Sequence, residues 1–435
     1  MWAVGYVLQP FYLPKFSNRL EMNMIFNLII MSRKSRVYFT VISLVFLSII
    51  PSPDTFGQTV ESDERALLNV DEGISFAKDS LFLMNLRFRM QNRAGFNTLD
   101  GDDFRINEFE MRVRRLRLRF DGYILNPKFQ YYIQLGFSKA DLDLESQNIA
   151  QPVRDAIVYY FATNNLYFGF GQSKLPGNRQ RVTSSGNLQF ADRSIANAAF
   201  TVDRDFGFFG YYTKKMGDNS FFQLKGAITT GEGRNASKTN NGLAYTGRVE
   251  YLPFGLFANN GNYSEGDLEF EERPKLAMGL TFSRNLKTSR TGGQLGLPLF
   301  EVRDLNTLII DGVFKYRGNS IMTEYFQRNS PDPVTSNQEG DIRFVQVGQG
   351  LNIQVSKMVS QKSEFAVRYS YVLPDQSISG FQDRVDEALL GYTYYINGHR
   401  IKLQGNIGYK WLEGLSSFEN AGNSWTGMFQ VEFGI

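Results

Sequence analysis

The 435-residue chain has no cysteine, a single histidine and three tryptophans. Without cysteine there is no disulfide and no thiolate metal site. With His399 alone, the ligand sets of zinc and copper centres are out of reach. His399 stands in a hairpin turn beside Asn397 and Gly398, where a solvated side chain is expected. No GxxxxGK followed by Ser or Thr occurs, and Gly231-Glu232-Gly233 reads as a loop tip. Glu269, Glu271 and Glu272 read as solvated loop carboxylates rather than a calcium site. No catalytic residue, metal ligand or cofactor is assigned, and an enzyme is not expected. Long apolar runs are also scarce. The strongest, Val37 to Ile50, is fourteen residues long, short of the roughly twenty that a membrane-spanning helix needs. Arg33, Lys34 and Arg36 precede it, and Pro51, Pro53 and Gly57 follow. That order reads as a signal peptide over 31–57, with Gln58 first in the mature chain, rather than an anchor helix. Residues 1–30 have no place in such a signal, which points to Met31 as the translation start. Beyond residue 57 the chain carries 42 Lys and Arg against 42 Asp and Glu, so net charge favours neither ion sign.

Aromatics are abundant, with 38 Phe and 22 Tyr, and much of the chain alternates with a period of two. Glu108 to Phe137 shows it best. Leu116, Leu118 and Phe120 oppose Arg115, Arg117 and Arg119, and after the turn at Leu125–Lys128 the residues Phe129, Tyr131, Ile133 and Leu135 oppose Gln130, Tyr132 and Gln134. The phase slips at Arg114-Arg115, which predicts a β-bulge. Sixteen such segments lie between residues 80 and 435, joined by connections that alternate between short and long. We therefore expect an all-β, transmembrane antiparallel barrel of about 16 strands, with short periplasmic turns and long outer loops, preceded by a periplasmic lead-in over 58–79. The link 254–274 should be short and is not. Either it is a folded insert or the strand count errs.

On such strands apolar faces meet lipid and polar faces line a lumen. Arg87, Arg89, Arg112, Arg114, Arg117 and Arg119 are the candidate pore lining. Scattered basic residues elsewhere, such as Lys225, Arg248 and Arg368, have acidic candidates to pair with in Glu250, Asp311, Glu364 and Glu387. The longest link, 172–205, joins strands five and six. Lys174, Arg179, Arg181, Arg193 and Arg204 there meet few carboxylates, and Leu188, Phe190, Ile195 and Phe200 could pack on a wall. We expect it to fold inward as a constriction rather than lie outside as an ordinary loop. Arginine suits phosphate because its planar fork donates paired hydrogen bonds. Nucleic acid is a poor partner for an exported barrel.

Three stretches resemble the phosphate-selective porin O and P family: FEMRVRRLRLRFDG at 109–122, NPKFQYYIQL at 126–135 and FGFGQSKLPGNR at 168–179. The first hairpin is the most specific of them. The resemblance implies a sixteen-stranded, trimeric outer-membrane porin of a Gram-negative bacterium, whose partners are small anions and outer-membrane lipid. It also implies an arginine ladder, which Arg87, Arg89, Arg112, Arg117 and Arg119 could supply. The lysine cluster of phosphate-specific members has no dense counterpart here. Rival readings are a general, weakly selective porin and a barrel receptor or adhesin acting through its outer loops.

Overall fold

The chain divides into Met1–Ala66 and Leu67–Ile435, and the computed structural model describes residues 68–69, 73–78, 81–142, 151–236, 239–413 and 422–435, all in the second unit. The signal segment and the extension before it lie outside the described residues. Sixteen strands form the wall. They are β1 (Phe82–Thr98), β2 (Ile106–Ile124), β3 (Asn126–Gly136), β4 (Val153–Phe161), β5 (Leu166–Lys174), β6 (Arg204–Met216), β7 (Ser220–Thr229) and β8 (Ala244–Leu252). Then follow β9 (Lys275–Arg290), β10 (Pro298–Tyr316), β11 (Asn319–Asn329), β12 (Gly348–Ser360), β13 (Ser363–Pro374), β14 (Val385–Asn397), β15 (Ile401–Leu412) and β16 (Ser424–Gly434). Each pairs antiparallel with the next, and β16 closes on β1, with Gln430 opposite Arg93. Closure leaves no open edge, which a sheet exposed to lipid requires.

The outward residues form an apolar belt. Val158, Phe168, Phe170, Phe208, Ile228, Leu280, Phe282, Ile310, Ile353, Val367 and Leu390 are all exposed. Many of their inward neighbours are buried, both polar ones such as Thr281, Asp311, Asn352 and Arg368 and apolar ones such as Ile157, Phe209 and Ile309, because the lumen is partly filled. Turns at one rim are tight: Leu125 has φ 68° between β2 and β3, and Arg317-Gly318 takes φ 47° and 77° between β10 and β11. The Leu125–Lys128 turn is thus narrower than its sequence suggests, with β3 beginning at Asn126.

Two departures from expectation concern segment boundaries, and one open alternative is decided. Within the segment read as a lead-in, Gly73–Lys78 is a strand that pairs with residues 82–86 of β1, below the point where β16 stops. The β9–β10 hairpin extends through Arg290 and Pro298, so most of the expected loop is ladder. The long link after β8 is a folded insert. It carries a 3₁₀ turn at Ala258–Tyr263, in which Gly261 and Asn262 are buried, and sits at the turn rim, so the strand count stands.

Candidate functional site

The site begins with the register of β1 on β2. Arg87 faces Arg119, Arg89 faces Arg117, Gln91 faces Arg115 and Arg93 faces Arg112. Like charges directly opposite one another are unfavourable in a sheet, so this wall needs carboxylates. It gets few. Glu110, Asp121, Asp141, Asp192 and Glu432 serve nine arginines among the described residues. Asp141, on the short helix Lys139–Leu142, accepts paired bonds from Arg117 at 2.6 and 2.9 Å and one from Arg154 at 2.8 Å. Asp192 lies 2.5 Å from Arg93, 3.5 Å from Arg114 and 3.8 Å from Arg115. Burial opposes charge on Asp192, yet Arg93 and its neighbours outweigh it and hold the carboxyl below its ordinary range.

Two β-bulges enrich the wall. The first falls between the pairs of Arg115 and Val113, where the sequence predicted it, and frees Arg114 to reach Asp192. The second leaves Arg154 unpaired between Asp155 and Val153, so Arg154 and Asp155 both turn inward.

The link between β5 and β6, residues 175–203, folds into the lumen. Ser194 caps the short helix Ile195–Phe200 by accepting from the backbone N–H of Asn197 at 3.1 Å. The loop's apolar residues meet glycines on the wall. A Cβ at Gly350 would lie 2.8 Å from the Phe200 ring, and one at Gly391 2.7 Å from Phe190. Wall side chains then satisfy its backbone. Lys402 and Gln404 donate to the Leu188 carbonyl at 2.6 and 2.9 Å, Arg93 to Ala191 at 2.9 Å, and Arg328 to Phe200 and Thr201 at 2.7 and 2.8 Å. These donors replace the water an ordinary outer loop would use.

The insert 253–274 meets this loop from the turn rim. The Glu265 backbone N–H donates to Asn187 at 2.9 Å, and its carboxylate accepts from Gln189 N–H at 2.8 Å and from Gln180 at 3.1 Å. Glu269 and Glu271 brace the insert itself, through Asn259 and the Ala258 N–H. His399 is not the solvated turn residue expected. It is half-buried against the insert, 2.8 Å from the Ser264 hydroxyl and 3.2 Å from the Glu265 carbonyl.

What remains of the lumen is a cavity of about 1470 Å³, lined by fifteen lysines and arginines and five carboxylates. Arg87, Arg89, Arg114, Arg117 and Arg119 line it, as do Lys174, Arg181, Arg193 and Arg204. Arg193 donates to the Gln180 and Thr183 carbonyls, and burial with Arg181 nearby lowers its pKa to about 9. Lys174 and Arg204 sit on the ends of β5 and β6 rather than on the loop. Two candidates lie elsewhere. Arg112 is on the lumen face but beyond the cavity, half-exposed and paired with Glu110 at 2.7 Å. Arg179 points to the opposite wall, where Asp311 and Glu250 hold it together with Arg248. Arg115, Arg154 and Arg234 line the cavity without having been singled out. Arg115 shares the face of Arg117 and could have been found, whereas the inward turn of Arg154 depends on its bulge. On the far wall Lys225, Arg248 and Arg368 do pair with Glu250, Asp311 and Glu387, as the sequence suggested they could.

The family model described as phosphate-selective porin O and P matches residues 84–278. No curated protein matches the chain. Among solved structures, an anion-selective porin from Comamonas acidovorans is 11% identical with a TM-score of 0.50, over 81% of this chain and 99% of that one. OmpT of Vibrio cholerae is 13% identical at a TM-score of 0.49, over 83% of this chain and all of its own. The outer-membrane channel DcaP of Acinetobacter baumannii is 13% identical at 0.49, over 82% and 99%. At 11% identity the Comamonas likeness is one of fold, a sixteen-stranded antiparallel porin barrel. The match to the porin O and P model thus spans residues 84–278, and the fold of the chain is that of a porin barrel.

Proposed function

We propose that the chain is an outer-membrane porin that passes small anions by passive diffusion through the cavity along β1–β6. The observation that carries the reading is the charge of that cavity, where lysine and arginine outnumber aspartate and glutamate threefold although residues 58–435 are net neutral. Arginines lend an anion hydrogen bonds in place of part of its hydration, and several weak sites in sequence let it leave again. Phosphate or pyrophosphate as the preferred cargo, and a homotrimeric assembly, rest on the family resemblance. The test is the reversal potential of the purified channel in a tenfold KCl gradient. Wild type should prefer chloride over potassium. The combined substitution Arg87→Glu, Arg114→Glu and Arg119→Glu should erase or reverse that preference, since each side chain lines the cavity and none anchors the loop backbone in the contacts above. Cation preference in the wild type, or unchanged selectivity in the triple variant, would show that these arginines do not govern the conducting path.

A further inference from the structure

The basic wall carries a second kind of surface. Tyr132 of β3, Tyr159 of β4 and Tyr211 of β6 face the same cavity as the arginines. Tyr159 and Tyr211 lie on the turn-rim side of Arg154 and Arg204, which precede them on the same strands. The Arg119 guanidinium lies 4.6 Å above the centre of the Tyr132 ring. The Tyr211 ring is 6.3 Å from Tyr159, and Tyr167 stacks on Tyr211 at 4.5 Å with 11° between the planes. Behind them is a small apolar cluster that includes Ile157 and Phe209, so each ring is seated on one side and meets the lumen on another. Opposite Tyr159 stands Gly169, where a Cβ would come within 3.0 Å of the ring. Bare backbone there leaves the ring its place.

An inorganic anion gains little from this surface, because a hydrated oxyanion has no apolar face to lay on a tyrosine. A molecule that joins an anionic head to a flat ring would use both halves of the wall. Its head would take guanidinium hydrogen bonds, and its ring would pack against seated, rigid aromatics at little entropic cost. We infer that the cavity favours organic anions of this class, aromatic phosphate esters and carboxylates, over anions of equal charge without a ring. The inference rests on the anion-channel reading and names the cargo class of the same cavity.

The test compares block of the chloride current by phenyl phosphate and by methyl phosphate at pH 8, where both carry similar charge. Phenyl phosphate should half-block at a concentration about three- to tenfold lower, the range expected for one or two aromatic contacts. Combining Tyr132→Leu and Tyr159→Leu keeps apolar bulk on the seat and should bring the ratio close to one. Tyr132→Phe with Tyr159→Phe keeps the rings and should retain it. Equal block by the two esters in the wild type, with anion preference intact, overturns this inference and leaves the channel reading standing. A ratio that survives in the leucine variant also overturns it. Block by neither ester, together with no anion preference in the reversal potential, overturns both.

Discussion

His399 shows how far a single residue's role can lie from its local sequence. A histidine in an Asn-Gly turn reads as solvated, because the turn itself satisfies the backbone and leaves the ring free. Its partners Ser264 and Glu265 belong to an insert more than 130 residues earlier, which no local spacing reveals. The consequence is a pH dependence. Burial first, and Lys402 and Lys315 second, hold the ring well below its ordinary value of 6.5. The folded ring therefore stays neutral where the unfolded one takes up a proton. Stability is full above pH 6.5 and falls as acid is added, by up to about 1.4 kcal/mol per pH unit until the folded ring itself protonates. His399→Gln keeps a polar group at the site and does not titrate. The thermal midpoint of detergent-solubilised wild type should drop further than that of the variant between pH 7.5 and pH 5. Equal drops would mean that the ring titrates as it does in water. Arginines divide along the same line. Arg117 and Arg119 follow from alternation alone, while Arg179 follows the same composition argument and goes to the wrong wall, because the carboxylates that claim it come from β8 and β10.

At the scale of elements the sequence is most legible where lipid and lumen impose opposite demands on successive residues. That demand repeats along every strand, so strand existence, the Arg114 bulge and the inward set of β16 can all be read from a period of two. It says nothing about sockets. Gly350 and Gly391 read as weak strand residues, and only the folded loop shows that their missing side chains receive Phe200 and Phe190. The two faces of β3 offer a direct check on register. Ile133 points outward beside Phe120 and Ala156, and Gln134 lines the cavity. Arginine on a lipid face costs about 2–4 kcal/mol near the bilayer midplane, and far less where water reaches it. Ile133→Arg should therefore reduce the heat-resistant folded band on a gel much more than Gln134→Arg. Similar loss in both would contradict the assignment of faces.

Across the whole molecule, function depends on a division of the lumen rather than on total charge. The loop 175–203 touches both walls, but its helix Ile195–Phe200 lies against β11–β13, and on that side basic side chains are taken up by Glu250, Asp311, Glu387 and loop carbonyls. The open side is left with β1–β6 and their surplus of arginine. Composition could not show this, because the division is made by two segments distant in sequence that meet at Glu265. The surplus acts on passing ions in two ways with different ranges. Contact with a guanidinium works at hydrogen-bond distance and is little screened. The summed field reaches across the cavity only when salt is dilute, because the Debye length is about 30 Å at 0.01 M and about 3 Å at 1 M. In a cavity wide enough to hold many waters, the field should contribute most at low salt. The chloride-to-potassium permeability ratio should then fall steeply as the mean KCl concentration is raised from 0.01 M to 1 M at a fixed tenfold gradient. Neutralising Arg87 and Arg114 with glutamine should matter most at the dilute end. A ratio that stays constant over that range would place discrimination in direct contacts within a narrow dehydrated passage, and the wide basic vestibule would then be incidental to selectivity.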